Sequence, residues 1–132
     1  MMAYQLASIV VIDDNASNLE FVAEALSHSG VHVLTSTGPV EGLALVAAHR
    51  PKVVLTDVIM PGMSGLDVLC AAKQMDHDVD VVLMSADDLP KDGIQVTRLA
   101  ADYLRKPISP SQLRECIARL LGKNVTASSP KP

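Results

Sequence analysis

Apolar residues in this chain fall into short unbroken runs, separated by stretches where they recur every three or four positions. Ser8-Ile9-Val10-Val11-Ile12 is β-branched almost throughout, which predicts a strand buried on both faces. Val31-His32-Val33-Leu34, Val53-Val54-Leu55-Thr56-Asp57 and Val79 to Ser85 predict three more strands, and Asp102–Arg105 a short fifth. Helical stripes lie between them: Leu19, Val22, Ala23 and Leu26; Val40, Leu43, Ala44 and Ala47; Leu66, Leu69 and Cys70; and last Leu113, Cys116, Ile117 and Leu120. The punctuation agrees with these spans. Ser17 and Glu20 have capping-box spacing and Gly30 offers a stop. Gly38-Pro39 opens the second helix and Pro51 follows it, Ser64 caps the third, and the last runs from Ser109-Pro110 to Gly122. Only Leu89 to Leu99 is weak. It holds Pro90, Gly93 and the β-branched Ile94, Val96 and Thr97, and predicts a short or irregular fourth helix. Met1 to Gln5 reads as a frayed start. Residues 123–132 are polar and Pro/Ser-rich, which predicts a flexible tail or the start of a linker after one domain over 6–122.

Strand and helix alternate about five times with connections too long for hairpins, which predicts a parallel sheet covered on both sides. The expected fold is α/β, a doubly wound five-stranded parallel sheet with helices on both faces, taken in the flavodoxin-like order 2-1-3-4-5. Such sheets bind ligands beyond the carboxyl ends of their strands, where the strand order reverses. Here that point lies between the first and third strands, which end in Asp13-Asp14 and in Asp57.

Composition narrows the setting. A chain of 132 residues with 48% hydrophobic and only 2% aromatic content builds one core from aliphatic side chains. A formal charge of −4 argues against direct nucleic-acid binding. No apolar run approaches the roughly 20 residues that span a membrane, and the start lacks the basic residues of a signal peptide, so a cytoplasmic protein is expected. Cys70 and Cys116 form no CxxC pattern and read as reduced core thiols. His28, His32, His49 and His77 lack metal-ligand spacing, and Met60, Met63 and Met84 read as packing.

The chemistry gathers at the strand ends. A lone buried carboxylate costs several kcal/mol unless something pairs with it, so Asp57 asks for a partner. Asp13, Asp14, Ser85 and Lys106 stand at the other strand ends. Two like charges about 4 Å apart cost roughly 4 kcal/mol at an effective dielectric near 20, so three acids together call for a divalent cation. All-oxygen ligands favour magnesium, with manganese as the substitute. A carboxylate is already a nucleophile, Lys106 can neutralise phosphoryl oxygens, and Ser85 can donate a hydrogen bond to them. These parts suit in-line phosphoryl transfer onto Asp57. Blander roles exist for each: Asp13 and Asp14 as helix caps, Lys106 as a solvated lysine, Ser85 as an ordinary strand-end hydroxyl, and Tyr103 as half-buried filling.

Four segments carry a resemblance: Val10-Val11-Ile12-Asp13-Asp14-Asn15, Asp57-Val58-Ile59-Met60-Pro61-Gly62-Met63-Ser64-Gly65, Val82-Leu83-Met84-Ser85-Ala86 and Asp102-Tyr103-Leu104-Arg105-Lys106-Pro107. With them in this order, the chain resembles the receiver domain of two-component response regulators over about residues 6 to 121. The resemblance implies that Asp57 accepts phosphate from a sensor histidine kinase or phosphotransfer protein. It implies that Asp13, Asp14, Asp57 and the Ile59 carbonyl hold magnesium, and that Lys106 contacts the phosphoryl group, next to a cis bond to Pro107. Ser85 and Tyr103 take the switch positions, while Ile59 and Asp87 take positions that tune phosphate loss. The output partner is expected on the face of the fourth helix, fifth strand and fifth helix, with scope for a phosphorylation-dependent homodimer. Leu99-Ala100-Ala101 departs from the small Gly-Ala step usual before Asp-Tyr. The expected product is a phosphorylated signalling switch of a phosphorelay, not an enzyme with a small-molecule substrate. Two alternatives stand beside it. A haloacid-dehalogenase-like phosphatase would need Asp-x-Asp and a cap domain, where this chain offers adjacent acids. A receiver-like interaction module that is never phosphorylated would not need the full set of acids, Ser and Lys.

Overall fold

The computed structural model describes residues 7–87 and 98–128. In chain order they form β1 (Ala7–Ile12), α1 (Ala16–Ala25), β2 (Val31–Ser36), α2 (Pro39–His49), β3 (Val53–Asp57), α3 (Gly65–Met75), β4 (Asp80–Ser85), β5 (Asp102–Arg105) and α4 (Pro110–Ser128). The strands make one parallel sheet in the order β2-β1-β3-β4-β5. The predicted start at Met1 to Gln5, and most of the weak segment from Leu89 to Leu99, lie outside the described residues.

Alternation along the buried strands divides the core in two. Ile9, Val11, Val53, Leu55, Val82 and Met84 face α1 and α4. Val10, Ile12, Val54, Val81 and Leu83 face α2 and α3. Every residue of β3 and β4 is buried, as a central parallel strand covered on both faces requires. No described helix is long and apolar enough to cross a membrane.

Several helix details differ from expectation, each for a local reason. The cap of α1 is Asn15, not Ser17. Its side chain accepts from the N–H groups of Ser17 and Asn18 at 2.9 and 3.3 Å, so the helix starts two residues earlier than the Ser17–Glu20 pair suggested. That helix also stops early, at Ala25, and buries Ala25 where Ala23 was expected. Gly30 instead sits at φ +70 in the following turn. In α2 the buried residues are Gly42, Leu43 and Val46, whereas Val40 is 70% exposed and Ala44 and Ala47 are exposed. The cause is a close approach, since a Cβ on Gly42 would fall inside the Ile12 side chain. Counting apolar residues overlooked a glycine that marks the contact face. In α3, Val68, Leu69 and Ala72 are buried, while Leu66 and Cys70 are only half-buried. The Ser64 cap is as expected and is reciprocated by Asp67 in a capping box. The last helix buries Leu113, Cys116, Ile117 and Leu120 as predicted. It does not stop at Gly122 but runs to Ser128, so the expected tail is helical at its start. A glycine inside a helix costs only about 1 kcal/mol.

Candidate functional site

Three strand ends converge because the sheet's hydrogen-bond ladder reaches beyond them. The Asp13 N–H donates to the Ser36 carbonyl at 3.1 Å, the Val58 N–H to Met84 at 2.9 Å, and the Lys106 N–H to Ser85 at 2.8 Å. Residues just past β1, β3 and β5 are thereby fixed at one edge of the sheet. Asp13, Asp14 and Asp57 each bring a carboxylate oxygen within 4.8 Å of the others. Asp13 is 1% exposed and Asp57 8%, while Asp14 is exposed.

Lys106 reaches both buried acids. Its Nζ lies 3.1 Å from Asp13 Oδ2 and 3.5 Å from Asp57 Oδ2, and the Lys106–Pro107 peptide bond is cis. Burial pushes the Asp57 carboxyl above its ordinary range. Lys106 opposes that rise, Asp13 adds to it, and the Ile59 main-chain N–H opposes it further. Among the described residues one ammonium faces three carboxylates, two of them buried, which leaves surplus negative charge in the cluster. The donor set is all oxygen, and the oxygens are close enough to share one small divalent ion, so the residues fit magnesium or manganese.

Two residues that were not singled out from sequence fix the acceptor's main chain. Thr56, fully buried, donates its hydroxyl to the Asp57 carbonyl at 3.0 Å. Gly65, the first residue of α3, lies against the same carbonyl so closely that a Cβ would collide with it. Its N–H donates to Val58 at 2.7 Å. The Gly65 position was legible as part of a turn, but not as a close approach. Asn18 was also missed: its Nδ2 donates to Asp13 Oδ2 at 3.2 Å. An amide three residues after the Asn15 cap was the available signal.

The remaining predicted residues lie at the β4 and β5 ends. Ser85 is 2% exposed and its Oγ accepts the Asp87 N–H at 3.1 Å. Tyr103 is half-buried, and its hydroxyl donates to the Asp87 carbonyl. Asp87 is exposed and joins the two through its main chain. Ile59 is 61% exposed, and its contact with Asp57 is through its main chain. A cavity of about 450 Å³ opens beside Asp13 and Lys106, with Phe21, Met84, Pro107 and Ile108 in its wall.

A family model described as the response regulator receiver domain matches residues 9–118. The chain belongs to that family. It is 34% identical over 117 residues to the probable transcriptional regulatory protein TcrX of Mycobacterium tuberculosis, covering 88% of this chain and 49% of that protein. It is 30% identical over 116 residues to the phosphate regulon transcriptional regulatory protein PhoB of Pseudomonas aeruginosa, covering 86% and 49%. This receiver chain thus spans about half the length of those two relatives. Among solved structures, a receiver domain protein from Clostridium thermocellum matches with a TM-score of 0.84 at 30% identity, over 92% of this chain and 99% of that one. A CheY-like receiver from Methanospirillum hungatei matches in fold, with a TM-score of 0.87 at 22% identity, over 93% and 99%. Receivers of this family are signalling proteins of two-component systems and bind magnesium at an acidic pocket. Their expected function is that of a phosphorylation switch.

Proposed function

We propose that this receiver takes a phosphoryl group onto Asp57, with Asp13, Asp14, Asp57 and the Ile59 carbonyl as ligands for magnesium or manganese. The observation that carries the reading is one lysine within 3.5 Å of two buried acids that themselves cluster with a third. When bound, the cation supplies Lewis-acid charge to the phosphoryl oxygens. The chain's own groups do the rest. An Asp57 carboxylate oxygen attacks the phosphorus of a phosphohistidine in line; the P–N bond breaks and its electron pair stays on the imidazole. Lys106 places its positive charge where the equatorial oxygens gather negative charge.

The donor in this reading is a sensor histidine kinase or a phosphotransfer protein. The apolar wall of Phe21, Pro107 and Ile108 beside Lys106 offers a surface on which a protein donor can dock. Ser85 turns its hydroxyl toward a phosphoryl oxygen, giving up the Asp87 N–H, and Tyr103 answers through the Asp87 carbonyl. A pre-existing equilibrium is thereby shifted and reported to an output domain or protein, or to a second copy of the chain. Steady turnover of a small substrate is not part of this role, and the chain acts in the cytoplasm.

Beryllofluoride with magnesium tests the reading, because it mimics the phosphoryl group. Amide resonances of Asp13, Ser85, Tyr103 and Lys106 should shift in the wild type and stay unmoved in Asp57→Asn. Shifts that persist in Asp57→Asn would place the anion elsewhere, and steady hydrolysis of phosphate esters would favour the phosphatase alternative.

A further inference from the structure

Asp13 is the most buried acid of the cluster, and its carboxylate is crowded with donors. Oδ1 accepts the Asn15 N–H at 2.9 Å. Oδ2 accepts both Lys106 Nζ at 3.1 Å and Asn18 Nδ2 at 3.2 Å. A carboxylate offers about four lone-pair positions, so three seated donors leave about one for a cation. Asn18 is held firmly in turn, since its own N–H is one of the two donors capped by the Asn15 side chain at 3.3 Å. A single cap therefore links the start of α1 to the orientation of a metal-ligating carboxylate.

Lys106 is shared between Asp13 and Asp57. If it swings toward a phosphoryl group, Oδ2 of Asp13 loses its charged donor. The Asn18 amide is the donor that stays behind. We infer that Asn18 is a positioning residue of the acceptor site: its amide keeps the Asp13 carboxylate turned so that the remaining lone pair faces Asp14 and Asp57, which sets the affinity for the divalent cation. The inference rests on the acceptor reading only in taking Asp13 as a cation ligand. Partners that orient a metal ligand are commonly worth about tenfold or more in metal affinity.

The test is magnesium titration of the unphosphorylated protein, followed by backbone amide NMR at Asp13, Asn15 and Asp57, in wild type, Asn18→Leu and Asn18→Ala. Leucine keeps the branched shape and alanine removes it, and both lack the amide donor. Thermal unfolding selects the variants that retain the fold. The expected result is about tenfold weaker magnesium binding in each folded variant. In phosphorylation assays the magnesium concentration for half-maximal rate should rise by the same factor, with the rate at saturating magnesium changed far less. A folded variant that binds magnesium as tightly as wild type overturns the inference and leaves the acceptor reading standing. Absence of magnesium binding in the wild type overturns both.

Discussion

At the residue scale the central observation is that Asp57 is held where ionisation is costly. Burial raises its pKa, Lys106 only partly compensates, and Asp13 adds to the cost. A carboxyl raised in the folded state is more easily protonated there than in the unfolded chain. Its ionised form therefore lowers stability fully above the folded pKa, and the loss disappears as pH falls through that pKa toward the ordinary value of 3.8. Without a divalent ion, Asp57→Asn should melt above wild type at pH 7. Calorimetry down to the ordinary carboxylate range should see the gap close. A lower melting point for Asp57→Asn at pH 7 would contradict the account. Ile59 suggests a second test. In the proposed reading the exposed apolar side chain of Ile59, two residues past the acceptor, would hinder the attacking water, so Ile59→Asn should lose phosphate several-fold faster, and an unchanged decay rate would sink that role. Cys116 gives a third. Burial pushes its thiol up to about 11, so alkylation at pH 8 should label half-buried Cys70 first and reach Cys116 only on unfolding.

These residues show what a sequence can reveal. Asp13, Asp14, Asp57 and Lys106 were legible because buried strand ends rarely carry charge without reason. Thr56 was not, because a side-chain hydroxyl has no pattern of its own, and the spacing of Asn18 from the Asn15 cap does not say which carboxylate its amide meets. Their roles depend on which carboxylate or carbonyl the fold brings to them.

Among the elements, strands were more legible than helix faces. A run of β-branched residues marks a buried strand wherever it sits, and β3 and β5 have the predicted bounds. Helix faces depend on how closely the helix approaches the sheet, and in α2 the small residue decides. Gly42 lies against Ile12, directly before Asp13, so an added methyl must displace one or the other. Gly42→Ala should destabilise the domain by about 1–3 kcal/mol. Removing the partner's γ and δ carbons makes room, so Gly42→Ala with Ile12→Ala should be less damaging than the two single costs added together. Denaturant unfolding of the four proteins gives the coupling energy; additive costs would mean that the contact does not form. The capping of α1 was misplaced for a related reason. Ser17 and Glu20 have the right spacing, but Asn15 stands where the chain leaves β1 and captures the N–H groups first.

For the whole molecule, the β-α alternation was enough to specify a parallel sheet covered on both faces, and with the 2-1-3-4-5 order the place where the acids meet follows. The matching of residues 9–118 to the receiver family and the 2-1-3-4-5 topology agree with that inference. The extent of the last helix was not legible, because Gly122 and the polar residues after it carry no packing signal. At this scale a divalent ion should act as a ligand of the folded state. It neutralises charge that the fold concentrates, so magnesium should raise the melting temperature of wild type with a concentration dependence, and much less so in Asp13→Ala. Equal stabilisation of both proteins would place the ion elsewhere.

The central claim is that Asp57 takes up one phosphoryl group. Incubation of wild type and Asp57→Asn with magnesium and acetyl phosphate, followed by intact mass measurement, tests it most directly. The account predicts a single phosphate on each wild-type chain, lost on removal of the donor, and none on Asp57→Asn. Phosphate on the Asp57→Asn chain, or none on the wild type, would contradict it.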